Sequence, residues 1–489
     1  MKYLGITSNG HDASVAVVED GNILFAAHQE RFSGIKNDGD ISIDIINEAK
    51  KYGYDQVCYY ENSTLKGLRR IVNGQFSLGL NTFADVYKLK KMGFDNIKST
   101  THHRSHAAGG YYTSPFNDAI TVVCDAIGEF QTLTVWHCVD DEMSLIHEQV
   151  YPHSVGLFYS AMTQRVGKKP NEEEYIMMGM AALGDPARLK GEMLAEFVKV
   201  LYNAEVPIFE CKHNLHKGCK WWRPDLTTDQ DMYDIAAAAQ EIVEDFMVDL
   251  VESFSHLSGN LVLSGGVALN CKANTEIAKR GGFEEIWIMP NPGDAGSSIG
   301  AIAAITKERI NWRSAYLGRD IGRNTDFDGA LKALLNGDVI GLAAGRSEWG
   351  PRALGNRSIL VDPRGPETKD KVNQFKRREP FRPFAPVILE EFADQYFDMP
   401  VKKSPYMQFT AKCKYPDLFP AICHYDETSR VQTVSKDDNY ELHALITRFY
   451  EETGCPMLLN TSMNIKGKPL VDTVEQAIEF EAETGIKVF

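Results

Sequence analysis

Apolar and polar residues alternate in short runs at the start of the chain. Residues 2–6 (KYLGI), 13–19 (ASVAVVE) and 23–28 (ILFAAH) predict three strands. Asp20-Gly21-Asn22, between the second and third, is a hairpin signal because those residue types accept the positive φ of a tight turn. The first strand runs into a polar loop at residues 7–12. The pattern then recurs. Residues 119–124 (AITVVC) predict a strand ending at Asp125-Ala126-Ile127-Gly128-Glu129, and 131–138 and 143–150 predict antiparallel partners. A strand tipped by a small polar loop, followed by antiparallel strands, thus occurs twice. That implies two related lobes around a cleft.

Further on, Ile235, Ile242, Phe246, Leu250 and Phe254 predict one apolar face of a helix over 231–257. A buried-type strand, 261–263, runs into Ser264-Gly265-Gly266. A second, 286–289, runs into the small-residue loop from Pro290 through Gly293 and Asp294 to Ser298. Small residues between a strand and a helix let backbone N–H groups approach an anion or nucleotide. Residues 313–330 are polar and aperiodic, which places a domain boundary near 320. A fresh unit opens with a helix at 327–336, a strand at 338–343 and a turn at Ala344-Gly345-Arg346. The fold class expected is α/β.

Composition changes this picture little. Of 489 residues, 43% are hydrophobic and 24% charged, an ordinary globular balance. No apolar run reaches the roughly 18 residues of a membrane helix, so no membrane partner is expected. The first six residues are basic and then apolar, but Asn9, His11 and Asp12 end the run too early for a secretion signal. Nine scattered cysteines then read as free thiols in a reducing cytoplasm. With 52 Lys and Arg against 67 Asp and Glu, the net charge is −15. That argues against coating nucleic acid nonspecifically and leaves room for a local basic groove.

Charge and spacing single out candidate chemistry. His102 and His106 are four apart, which on a helix sets both rings on one face. Two imidazoles there can share a metal, with Asp125 and Asp294 completing an oxygen-rich set that leaves positions open. The same spacing also fits a surface helix with ordinary histidines. His11-Asp12 reads either as a general base with its orienting partner or as a capping Asp beside an exposed His. Cys211, His213, His216 and Cys219 read as a zinc set of unusual spacing or as a polar loop beside Trp221 and Trp222.

The last third is rich in cations. Arg346, Arg352 and Arg357 lie in GRSEWGPRALGNRSIL, and Lys376, Arg377, Arg378 and Arg382 in KRREPFRPFAP. Arg430 lies in SRVQT, and Ser462 and Asn464 in LLNTSMN. Pro380, Pro383 and Pro386 stiffen the loop that carries Arg382. Fixed guanidiniums beside Ser and Asn donors suit a phosphate or carboxylate oxyanion. One such Arg alone is worth no more than a surface ion pair; together they predict an anion pocket.

On these residues the chain resembles the NodU/CmcH O-carbamoyltransferases over nearly its whole length. The motifs are NGHDASVAVVEDG, HHRSHAAGGYYTSPF, EEYIMMGMAALG, LSGGVALN, PGDAGSSIGA, EWGPRALGNRSIL, FRPFAPV, RVQTV and LNTSMN. The resemblance implies an N-terminal actin-like (duplicated ATPase-fold) domain at 1–320, related to the enzymes that attach threonylcarbamoyl to tRNA. It implies a YrdC-like α/β domain at 321–489. The implied chemistry has two steps: carbamoyl phosphate and ATP give carbamoyl-adenylate, and the carbamoyl group then passes to an acceptor hydroxyl.

The family's carbamoyl-phosphate pocket maps onto Arg352, Lys376, Arg382, Arg430, Ser462 and Asn464. Its metal, Fe2+ or another divalent ion, maps onto His102, His106, Asp125 and Asp294, with Mg2+ accompanying ATP. Gly265, Gly266 and Asn270, with Gly293, map onto the nucleotide-cradling loops. Lys36 and His11, with Asp12, fall where members face the acceptor and the adenylate. Two residues depart from the pattern: Ala126 stands where glycine is common, and Met463 where Phe is usual. The acceptor leans to 5-hydroxymethylcytosine in phage DNA, on the style of the N-terminus (AAHQERFSGIKND). A sugar or secondary-metabolite hydroxyl is the alternative, and tRNA threonylcarbamoyl-type modification a second one. Members are often homodimers, though no residue here demands it.

Overall fold

The computed structural model describes all residues except Ala204, Arg377, Pro380 and Pro383. The expectations placed on Arg377, Pro380 and Pro383 therefore lie outside the described residues. The chain divides into two compact units, residues 1–29 with 37–312, and residues 30–36 with 313–489.

In the first unit, β1 (Lys2–Thr7), β2 (Ser14–Glu19) and β3 (Asn22–His28) form an antiparallel meander. Asp20 and Gly21 turn it with φ of 48° and 75°, the left-handed values that an Asp-Gly hairpin supplies. β4 (Gln56–Tyr59) and β5 (Ile97–Ser99) add in parallel on the other side of β1. Between them rise three short helices, α1 (Ser63–Val72), α2 (Phe76–Phe83) and α3 (Asp85–Lys91). Helix α4 (His102–Thr113) then leads to a second sheet.

That sheet repeats the plan. β6 (Asp118–Cys124), β7 (Gln131–Val139) and β8 (Glu142–Val150) form a meander. A separate hairpin follows, β9 (Val198–Asn203) and β10 (Val206–Cys211). After α5 (Asp229–Glu252), β11 (Asn260–Ser264) adds in parallel beside β6. Helix α6 (Cys271–Arg280) separates it from β12 (Glu285–Trp287), which adds in parallel beside β11. The orders β3-β2-β1-β4-β5 and β8-β7-β6-β11-β12 are the same topology twice. Helix α5 stops five residues short of the 257 that periodicity predicts. Its chain tightens there into i→i−3 turns, and Ser258 and Asn260 then anchor on the Asp118 carbonyl at 3.3 and 2.9 Å.

Helix α4 lies on β6, β7 and β11, and α7 (Ser297–Thr306) lies on β1, β2 and β4. The two helices cross at glycines. A Cβ on Gly300 would sit 2.0 Å from the Ser105 carbonyl oxygen, so only glycine allows the approach.

The second unit begins with α8 (Phe327–Leu335), ended by Gly337 at φ 78°. Asp338 N–H closes that end on the Ala333 carbonyl at 3.0 Å, and β13 (Ile340–Ala343) starts two residues later than its apolar pattern implies. β14 (Arg357–Val361), α9 (Thr368–Lys376), β15 (Ala385–Leu389) and a small sheet of β16 (Phe397–Asp398), β17 (Thr410–Cys413) and β18 (Thr428–Arg430) follow. Then come β19 (Gln432–Val434), α10 (Tyr440–Thr453), β20 (Met457–Ser462) and α11 (Val474–Thr484). The main sheet runs β13-β14-β20-β15-β19 over a core of Leu342, Leu360, Val387, Leu458 and Phe449. No helix among the described residues is long and apolar enough to cross a membrane. All nine cysteines are free and buried.

Candidate functional site

The repeated sheet and the glycine crossing bring four side chains to one point. Asp125 follows β6, His102 and His106 lie one turn apart on α4, and Asp294 opens the 3-10 turn Asp294–Gly296 before α7. Asp125 Oδ2 is 3.0 Å from His102 Nε2 and 3.6 Å from His106 Nε2. Asp294 Oδ1 is 3.5 and 3.3 Å from the same two atoms. The two Nε2 atoms stand 3.1 Å apart. Among the described residues this is the only group of three or more such donors whose ligand atoms all lie within 4.8 Å of one another.

The electrostatics follow from that crowding. Burial opposes charge on every member, yet the carboxylates raise His102 and His106 above the ordinary histidine range, His106 to about 9. The histidines in turn hold Asp125 and Asp294 below the ordinary carboxylate range. Two imidazole nitrogens 3.1 Å apart need a hydrogen or a metal ion between them, since two facing lone pairs would repel. The Nδ1 atoms of both rings are buried with no hydrogen-bond partner, so the convergent Nε2 side carries the chemistry. Two imidazoles and two carboxylates fit a first-row divalent ion and leave room for oxygen ligands.

Residues that sequence reasoning missed set this geometry. The buried Glu129 carboxylate accepts the His102 N–H at 3.0 Å and the Asn62 N–H at 2.7 Å. It thereby satisfies an orphan donor in the first turn of α4, and ties that turn to the start of α1. Tyr60 lies with its ring 5.5 Å from that of His102, above a buried Lys66–Glu61 ion pair of 2.7 Å. Gly128 is required, since a Cβ would lie 3.1 Å from His102 Cβ and 2.9 Å from His103 Cδ2. The only sequence signal for Glu129 is its acid at the end of a small-residue loop.

The other N-terminal candidates fall around the four. His11 Nδ1 meets Asp12 Oδ2 at 3.0 Å, and its Nε2 lies 3.9 Å from Asp294 Oδ2. His103 is fully buried against Thr134 Oγ1 at 3.1 Å, and burial with the neighbouring His102 pushes it down to about 3. The loops after β11 and β12 are stitched together. Gly265, at φ 86°, donates to the Pro292 carbonyl at 2.9 Å, and Gly266 donates to Asp125 Oδ1 at 3.3 Å. Gly293 precedes Asp294 and caps its turn. Asn270 caps α6 through Ala273 N–H and exchanges two 3.0 Å amide bonds with Gln240. Ala126 has no left-handed φ, so the turn tolerates it in place of glycine. Its N–H donates to Asp125 Oδ1 at 2.8 Å.

The zinc alternative does not assemble. Cys211 Sγ faces the backbone of Ser154, Cys219 Sγ faces the Ala161 carbonyl, and His213 pairs with Glu196 at 2.9 Å.

In the second unit, Lys376 ends α9 and donates to Ser462 O at 2.5 Å, Ser462 Oγ at 3.1 Å and Asn464 Oδ1 at 2.5 Å. Burial, and then the charges of Arg378, Arg382 and Lys36, hold its amine well below the usual lysine range. Lys36 therefore stands near the pocket of the second unit. Arg382 is steadied by Glu379 at 3.3 Å, and Glu379 also takes Lys466 at 2.8 Å. Arg352 sits in a loop gathered by Glu348, whose Oε1 accepts the N–H groups of Leu354, Asn356 and Arg357 at 2.8, 2.8 and 3.1 Å. Arg430 ends β18. Arg357 and Arg346 are spent otherwise: their guanidiniums bond backbone carbonyls such as Ala344 O and Gly318 O.

One unit thus holds a buried histidine–carboxylate cluster, and the other gathers cations around Lys376. Comparison with known proteins identifies the family. Residues 58–304 match the family model of the carbamoyltransferase N-terminus, and residues 331–489 that of the carbamoyltransferase C-terminus. An uncharacterized protein of Synechocystis is 31% identical, over 97% of this chain and 93% of that one. Nodulation protein NolNO of Sinorhizobium fredii is 30% identical, over 96% of this chain and 76% of that one. The 3'-hydroxymethylcephem-O-carbamoyltransferase of Amycolatopsis lactamdurans is 26% identical, over 98% and 96%. The chain belongs to the carbamoyltransferase family, and it is a transferase of carbamoyl groups.

Proposed function

We propose that this carbamoyltransferase is ATP-dependent and modifies a hydroxyl in two half-reactions. The second unit, read as YrdC-like, takes carbamoyl phosphate, ATP and water to carbamoyl-adenylate, phosphate and pyrophosphate, with Mg2+ accompanying ATP. The first unit, read as actin-like on its repeated strand order, transfers the carbamoyl group to the acceptor. The observation that carries this reading is the presence of two separate equipped sites in one carbamoyltransferase chain: Lys376 with Ser462 and Asn464, and the four-donor cluster.

Each residue set has a task. Lys376, Arg352, Arg382 and Arg430 neutralise the phosphate of the donor, while Ser462 and Asn464 hold its oxygens. Gly265, Gly266, Asn270 and Gly293 shape the loops that face the nucleotide. His102, His106, Asp125 and Asp294 would hold Fe2+ or another divalent ion, which when bound would supply Lewis-acid polarisation of the carbamoyl group. Asp12 engages His11 at Nδ1, and against its burial Asp294 and Asp12 raise the imidazole to about 10, so His11 offers the reacting groups a charged Nε2–H donor. Lys36 offsets charge on the adenylate. Adenylation suits the reaction because carbamate is anionic and lacks a good leaving group.

The finer reading of the acceptor is the hydroxymethyl group of 5-hydroxymethylcytosine in DNA. The Amycolatopsis relative is named for a hydroxymethyl acceptor on a ring, and this base offers the same primary alcohol. The test is mass spectrometry of one mixture holding protein, Fe2+, Mg2+, ATP and carbamoyl phosphate. The acceptor panel contains hydroxymethylcytosine duplex DNA, aminoglycoside-type sugars, and tRNA with threonine. A carbamoyl adduct on the base is expected. An adduct on a sugar alone replaces the DNA acceptor, threonine-dependent tRNA modification replaces the chemistry, and absence of AMP with every acceptor ends the adenylate reading.

A further inference from the structure

The net charge of −15 is unevenly spread. Residues 63–98 hold seven Lys or Arg against two Asp, and five of the seven cations, all but the buried Lys66 and Arg69, reach the surface. Residues 212–220, KHNLHKGCK, hold three Lys, two His and no acid. Both stretches belong to the first unit. Asn214 Nδ2 donates to the Tyr151 hydroxyl at 2.5 Å and His216 packs edge-on to the Tyr151 ring, while burial and then the charges of Arg69 and Arg70 on α1, with Lys217, lower the basicity of His216. The cysteine–histidine stretch, whose donors do not converge on one point, is therefore part of a basic surface.

The same surface is unusually apolar. Eight of the twenty-four large apolar side chains exposed among the described residues lie between Leu65 and Tyr87, and Trp221 is a ninth, 53% exposed beside Lys220. Phe76 and Val72, at 64% and 71% exposure, stand out from α1 and α2, which cross closely at Gly67 and Gly79. Lys88, Lys90 and Lys91 follow on α3. Lys90, Lys98, Lys217 and Lys220 have no ion-pair partner among the described residues. The face also adjoins the four-donor cluster, since Asn62, which caps α1, shares Glu129 with His102.

Unpaired lysines around exposed aromatic and aliphatic side chains match one kind of partner. Phosphodiesters take the lysines, and bases stack on Trp221, Phe76, Phe83 and Tyr87 or are held apart by leucine and phenylalanine wedges. A base whose substituent must reach a buried centre has to leave its stack, and a wedge beside the centre stabilises that state. A second copy of this chain pairing through the same face would set like charges together. We infer that α1–α3 and the 212–221 loop form the nucleic-acid face of the first unit, with duplex DNA as its ligand. The inference rests on the DNA reading of the acceptor for its purpose; the binding itself is tested separately.

The experiment measures binding of an unmodified fluorescent DNA duplex to the full-length protein across a salt series. Parallel assays follow carbamoyl transfer to hydroxymethylcytosine duplex and acceptor-independent AMP formation. Wild type is expected to bind with an affinity that falls steeply with salt. Lys90→Glu with Lys91→Glu, and separately Lys217→Glu with Lys220→Glu, are expected to lose about tenfold or more in affinity, with a salt slope shallower by about one per phosphate contact removed. Trp221→Ala is expected to weaken binding with the slope unchanged, and all variants keep AMP formation. Wild-type binding that these variants leave intact overturns the face, even if the base is carbamoylated. Binding lost in the variants, with no transfer to the modified base, supports the face and removes the acceptor reading. Absence of DNA binding at low salt, capture by anionic phospholipid vesicles in its place, or a dimer that Phe76→Glu dissociates each overturns it.

Discussion

Lys376 makes three hydrogen bonds from a buried, cation-crowded position, so its charge is costly until an anion arrives. Carbamoyl phosphate, bound there as proposed, would supply that anion and favour the ammonium. Affinity for the donor should therefore fall as pH rises through the lowered basicity of Lys376, earlier than an ordinary lysine would allow. Lys376→Arg keeps its charge at every pH and should flatten that fall, as calorimetric titration of carbamoyl phosphate between neutral and alkaline pH would register. Lys376→Ala should lose at least about 2 kcal/mol of donor binding, since charge-assisted bonds are worth roughly 1.5–3 kcal/mol each. At the other site, His106→Ala removes one of four donors. It should lower bound divalent metal, assayed by elemental analysis, and lower carbamoyl transfer together. A variant that keeps full metal content with one imidazole gone would mean that the four side chains are not a ligand set.

The crossing of α4 and α7 is what turns distant stretches of sequence into one site. His102 and His106 ride on α4, Asp294 opens α7, and Gly300 lets their backbones approach. Gly300→Ala should cost about 3 kcal/mol or more, because its Cβ would sit 2.0 Å from a backbone carbonyl that cannot rotate away. Urea unfolding would measure that loss, and metal content should fall before the fold does. The strands around this crossing were legible because alternation and turn chemistry are local: the Asp20-Gly21 hairpin and the doubled meander follow from neighbouring residues alone. Helix α4 was legible only in part. Its face of His102, His103, Ser105 and His106 is as polar as a solvated helix, yet all four are buried. Polarity kept inside a protein needs partners, and those partners come from β6, the Asp294 turn and Glu129, far away in sequence. For the same reason Arg346 and Arg357 looked like anion ligands: nothing local distinguishes a guanidinium that binds substrate from one that satisfies five carbonyls.

At the scale of the molecule, the two proposed half-reactions fall to separate units, and one short segment complicates the division. Residues 30–36 belong to the second unit although they follow β3 of the first. Arg31, nearly fully buried, donates to the Gly350 carbonyl at 3.2 Å across 319 residues, and the Arg319 guanidinium covers the Phe32 ring at 4.1 Å. No periodicity marks such a segment, because beyond the single helical turn Glu30–Ser33 its place is set by long-range contacts. It also brings Lys36 to bear on Lys376. The proposed donor site therefore draws on both ends of the chain, while the four-donor cluster draws only on residues 102–294. The two sites should fail independently. Chelation of divalent transition metal, with Mg2+ restored in excess, should abolish carbamoyl transfer and leave carbamoyl-phosphate-dependent AMP formation within about twofold, as expected when residues act in separate sites. Lys376→Ala should abolish both, since transfer consumes the product of the first step. Arg31→Ala should behave like the second-unit variant despite its place in the first thirty-odd residues, with AMP formation reduced and metal content unchanged. Chromatographic assay of AMP beside elemental analysis separates these cases, and an Arg31→Ala protein with normal AMP formation would detach the segment from the donor pocket.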